Sequence, residues 1–134
     1  LVLFLTSHLG FSDAKAYAIY SLFAAIGYTG PVIGGIMADK LMGFRNMIFI
    51  GGIVIIMGHI CMTFVGLNTF LVYLGLALIA IGTGLFKGNI TNLLGSCYKD
   101  NDPNRERGFT LFYVGINLGS FFASILCAIV ASNY

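Results

Sequence analysis

The stretch FLVYLGLALIAIGTGLFKGNITNLL, residues 70–94, decides the fold. Its one charged side chain is Lys87, and the rest is long enough and apolar enough for a helix that crosses a hydrocarbon layer about 30 Å thick. Three further stretches of the same character flank it, over residues 14–38, 47–65 and 108–131. Residues 1–6 are apolar as well, but too short to span a bilayer and without the basic start of a signal peptide. They read as the tail of a helix that begins before Leu1, and the end near Tyr134 reads as another cut. The expectation is an all-α, polytopic transmembrane helical bundle.

Composition points the same way. Charged residues make up 9% of the chain and hydrophobic residues 58%, with a mean hydropathy of +0.94. A soluble domain carries roughly 25% charged residues, so this chain lacks the polar surface that water demands. Glycine is frequent, at 18 residues. Small residues let membrane helices approach backbone to backbone, and the pairs Gly30/Gly34, Gly84/Gly88 and Gly115/Gly119 have the small-xxx-small spacing of such contacts.

The connections set the orientation. Lys40 and Arg45 fall in the 39–46 connection, and Lys99, Arg105 and Arg107 in KDNDPNRER, residues 99–107. Only Lys15 lies near the opposite ends. Basic residues favour the cytoplasmic side, so 39–46 and 99–107 are expected inside, with 7–13 and 66–69 outside.

Several chemistries are excluded. A net charge of +2 without a basic run gives no nucleic-acid footprint. Cys61, Cys97 and Cys127 are scattered and lack metal or disulfide spacing, and His8 and His59 stand apart from any catalytic constellation. Gly82-Thr83-Gly84-Leu85-Phe86-Lys87 lacks the glycine before lysine, the following Ser or Thr, and the preceding strand of a phosphate loop. Asn89-Ile90-Thr91 fits a glycosylation pattern but lies within an apolar span. Neither enzyme catalysis nor a cofactor is expected.

Three polar faces remain. Helical spacing puts Ala80, Thr83, Gly84, Lys87 and Thr91 on one face of the third span. A lysine inside a span either lines a wet cavity or snorkels to the interface, and the continuation of the helix beyond Lys87 favours the cavity. In the first span, Tyr17, Ser21, Ala24, Tyr28, Pro31 and Gly35 share a face, serving either a site or interhelical packing. In the last, Tyr113, Asn117, Ser120 and Ser124 do so, and Asn117 suits either a ligand or a neighbouring helix.

The segment from Gly35 to Arg45, GIMADKLMGFR, resembles the signature loop between the second and third helices of the major facilitator superfamily. GYTGPVIGGIMADKLMGFR (27–45), GTGLFKGNIT (82–91) and RGFTLFYVGINLGS (107–120), the last with its FYxxINxG pattern, resemble the proton-coupled oligopeptide transporter family. The resemblance implies a partial N-terminal six-helix bundle holding the end of helix one and helices two to five. It implies proton-coupled symport of di- and tripeptides by alternating access, with small peptides and protons as partners in a lipid bilayer, the bacterial inner membrane. It assigns Tyr28, Lys87 and Asn117 to the peptide site, and Gly35, Asp39, Gly43 and Arg45 to a conformational loop. The family's Glu-x-x-Glu-Arg cluster falls before Leu1, and the remainder of the transporter chain is required for function. Another facilitator, for nitrate, sugar or drugs, or a non-transporting receptor or scaffold, are the alternatives; the segment around Asn117 argues against the first.

Overall fold

The computed structural model describes residues 1–64, 66, 68–99 and 101–133, with backbone alone at Ala131 and Asn133. The expected span end at Val65, Leu67 in the 66–69 turn, Asp100 in the 99–107 connection and Tyr134 at the chain end lie outside the described residues. The described residues hold helices α1 (Val2–Ser7), α2 (Asp13–Met37), α3 (Gly43–Thr63), α4 (Thr69–Ser96) and α5 (Arg105–Asn133), with a π-helical turn over Ala38–Met42 between α2 and α3. By length and composition, three runs can cross a membrane: Asp13–Thr63, Thr69–Ser96 and Arg105–Val130. The fold is all-α.

The first of those runs corrects an expectation. Residues 39–46, with Asp39, Lys40 and Arg45, read as a polar loop, yet most of them belong to a π turn and to the first turn of α3, and the helical path breaks only at Met42 and Gly43. Gly43 explains how the chain turns without a loop. Its φ is +77° and its ψ 159°, an extended conformation open essentially to glycine alone and costing another residue about 1–3 kcal/mol, and a Cβ there would meet nothing within 4 Å. The backbone, not crowding, demands glycine. Asn46 Nδ2 donates to Met42 O at 3.0 Å, tying the two sides together.

The chain forms two compact units, Leu1–Leu93 and Leu94–Tyr134. In the first, α4 is central and its glycines receive both neighbours. A Cβ on Gly84 would lie 2.7 Å from Gly30 Cα, and one on Gly34 would lie 2.9 Å from Gly84 O. On the α3 side, a Cβ on Gly51 would lie 2.9 Å from Gly82 O, and one on Gly58 would lie 2.9 Å from Gly75 O. Between α2 and α4 the backbones touch directly at Gly30 and Gly84, and between α3 and α4 backbone contacts are joined by the side chains of Ile55, Met62 and Ile79, the close packing at small residues that association in lipid favours. At one end, Leu5 of α1 is fully buried with Ala16, Val72 and Leu76. Elsewhere large apolar groups such as Leu22, Ile33, Phe49 and Ile56 are exposed, as a lipid-facing surface requires.

In the second unit, Asp102 launches α5: its Oδ1 accepts the Asn104 N–H at 2.8 Å and its carbonyl accepts the Arg105 N–H at 3.0 Å. The ring of Tyr98 lies against Gly108, where a Cβ would collide with it. The apolar part of α5 is uncovered among the described residues. Gly115 and Gly119, expected at a tight contact, meet nothing within 4 Å there.

Candidate functional site

Because α2 and α4 cross on bare backbone, the side chains beside the crossing come together. A groove of about 250 Å³ opens there, lined on α2 by Tyr20, Phe23, Ala24, Gly27 and Tyr28, and on α4 by Ala80, Thr83 and Lys87. Ala80, Thr83 and Lys87 share the face that helical spacing assigns them. Gly84 and Thr91 do not line the groove; Gly84 turns to Gly30 instead. On α2, Ala24 and Tyr28 reach the groove, while Tyr17, Ser21, Pro31 and Gly35 do not.

The groove combines an ammonium, a phenol and a threonine hydroxyl with aromatic and small walls. Tyr28 is 82% exposed and Lys87 is exposed, so neither head group is spent on the packing of the unit. Pro31, inside α2, has no N–H to give the Gly27 carbonyl four residues back, which leaves that acceptor at the groove wall unused by the helix ladder. Phe23 and Ala80 also border a second, apolar groove of about 420 Å³ that runs along Ile19, Leu22, Ile26, Tyr73, Leu76 and Ala77. The two grooves share Phe23 and Ala80, and the polar groups belong to the one that holds Lys87.

Asn117 lies on α5 in the second unit, exposed like Tyr113, Ser120 and Ser124. Ser120 and Ser124 return their hydroxyls to the carbonyls of Ile116 and Ser120, both at 2.9 Å, so their donors are satisfied within the helix. Of the conformational segment, Gly35 lies near the end of α2, Asp39 on the π turn, and Gly43 and Arg45 in the first turn of α3. Asp39 and Arg45 are exposed.

Two features escaped the sequence reading. Lys15 sits 4.3 Å above the Phe11 ring centroid and 5.9 Å from that of Tyr73, and those two rings stack at 6.3 Å, joining the start of α2 to α4. Asn89 is fully buried, which excludes glycosylation there. Its Nδ2 donates to Gly34 O at 3.0 Å and to Leu85 O at 2.7 Å. A buried asparagine inside an apolar span was visible in the sequence; its partner 55 positions away was not.

Residues 45–134 match the PTR2 model of the POT family. The chain belongs to the POT family. Among POT relatives, dipeptide and tripeptide permease A of Escherichia coli (strain K12) is 38% identical over the whole chain, and that of Klebsiella pneumoniae (strain 342) is 37% identical. The chain spans 27% of the length of each. A crystallised POT family transporter in complex with 5-aminolevulinic acid superimposes with a TM-score of 0.87 at 33% identity, over 94% of this chain and 27% of that one. A peptide transporter POT in complex with sulfate gives 0.80 at 39% identity, over 87% and 24%. With the helical architecture, these POT neighbours show a major facilitator type of fold and an integral membrane protein.

Proposed function

We propose that this chain is part of a transporter that couples proton entry to uptake of di- and tripeptides by alternating access, in the inner membrane of a bacterium. The observation that carries this reading is the ammonium of Lys87 on the wall of a groove lined chiefly by aromatic and small side chains. A peptide is a zwitterion with apolar or polar side chains. Lys87 meets its carboxylate, Tyr28 borders the same volume, and the adjoining apolar groove takes a side chain. Asn117 offers an amide that both donates and accepts, suited to peptide polar groups. The permeases and POT transporters among its relatives support the substrate class. Proton coupling and the orientation, with 39–46 and 99–107 in the cytoplasm, rest on the family and on the basic residues of those segments. Asp39 and Arg45, flanking Gly43, serve the change between inward- and outward-open states.

The test is uptake of a labelled dipeptide by the full-length transporter, competed by unlabelled dipeptide but not by sugar or nitrate. Charge-assisted hydrogen bonds contribute about 1.5–3 kcal/mol, so Lys87→Gln lowers uptake about tenfold or more with normal insertion. Uptake unchanged by Lys87→Gln removes this lysine from the site; competition by sugar or nitrate assigns a different cargo.

A further inference from the structure

Asn89 is the one fully buried polar side chain among the described residues, and its hydrogen bonding does not fit a role in stability. Both acceptors it reaches are already served. Gly34 O receives the Ala38 N–H, and Leu85 O is the helix-ladder acceptor for the N–H of Asn89 itself. Losing the side-chain amide therefore orphans neither carbonyl. The two carbonyls also fix the amide's orientation, because turning it over would set oxygen against oxygen. Oδ1 then points away, buried and without a hydrogen-bond partner among the described residues. A bare buried acceptor is unfavourable, and an apolar side chain of similar shape would remove that burden.

What the amide supplies is direction. The crossing of α2 and α4 at Gly30, Gly34 and Gly84 is bare backbone on both sides, with the Pro31 ring reaching Gly88 beside it, so it resists closer approach but offers few side chains to oppose sliding. The Asn89–Gly34 bond joins the two helices at a defined point, just past the turn that carries Lys87. A slide of α4 along α2 would carry Lys87 past Tyr28 and reshape the groove they share. We propose that Asn89 is a positioning residue, fixing the register of α4 against α2 and hence the placement of the Lys87 ammonium for substrate. The substrate clause rests on the peptide reading above; the register clause does not.

Two variants of the full-length transporter test this. Asn89→Leu keeps the branching of the side chain, with more bulk, and removes both side-chain bonds. Asn89→Thr keeps a hydroxyl that returns to the carbonyl four residues back, as Thr29 and Thr63 do here at 2.8 and 3.1 Å, but cannot reach Gly34. Both are expected to insert and melt like the wild type, to raise the dipeptide KM about fivefold or more with turnover little changed, and to alter the rate at which an amine reagent modifies Lys87, read by peptide mass spectrometry. Threonine matching the wild type in KM and Lys87 modification overturns the proposal, since threonine lacks the bond to α2. Should leucine fail to insert, the threonine variant decides alone. If the wild type takes up no dipeptide, the peptide reading fails and Lys87 modification still decides the register.

Discussion

Replacing Gly84 with alanine places a methyl group where the structure has none to spare. The added carbon would lie 2.7 Å from Gly30 Cα and 2.8 Å from Gly30 C, both backbone atoms that no rotamer change can move. Carbon atoms settle at about 3.5–4.0 Å, so α2 and α4 must part by roughly 0.8 Å or more at their crossing. Overpacking of this kind costs about 1–3 kcal/mol, and the backbone contacts along Gly34 and Gly88 loosen with it. The groove lies beside that crossing, so its geometry changes too. The assay is thermal unfolding of the purified full-length transporter together with dipeptide KM. A melting point several degrees lower and a raised KM are expected. Gly115→Ala is the control: nothing lies within 4 Å of its added carbon in the described residues, and alanine is the better helix former by about 1 kcal/mol. A Gly84→Ala protein that melts and binds like the wild type refutes the bare-backbone crossing.

Gly43→Ala tests the joint between α2 and α3. It costs about 1–3 kcal/mol from its backbone conformation alone and should lower the melting point, whereas Gly52→Ala, open and at ordinary φ, should not. Lys15→Met removes the cation beside the Phe11 and Tyr73 rings, a loss of about 0.5–2 kcal/mol visible as a lower melting point of the full-length transporter.

The helical architecture was legible because lipid imposes one rule: a long apolar stretch must satisfy its backbone internally. The pairs Gly30/Gly34 and Gly84/Gly88 were legible as contact surfaces, but not which helix met which. Spacing cannot pair Gly51 with Gly82 or Gly58 with Gly75, because those contacts join residues distant along the chain. The same limit hid the groove: each helix face could be drawn alone, while the meeting of Tyr28 with Lys87 depends on where α2 and α4 cross. The 39–46 segment misled by composition. Charge and glycine usually spell a loop, and nothing local distinguishes a loop from a π turn closed by a positive-φ glycine.

That turn has a mechanical consequence. A slack tether would let the first two long helices tilt independently, each motion dissipated in the linker. A wide hydrogen-bonded coil has little slack, so a tilt of α2 arrives at α3 as torque, delivered through the short arc from Ala38 to Met42. Rocking of α2 is thereby passed on to α3 instead of being absorbed between them.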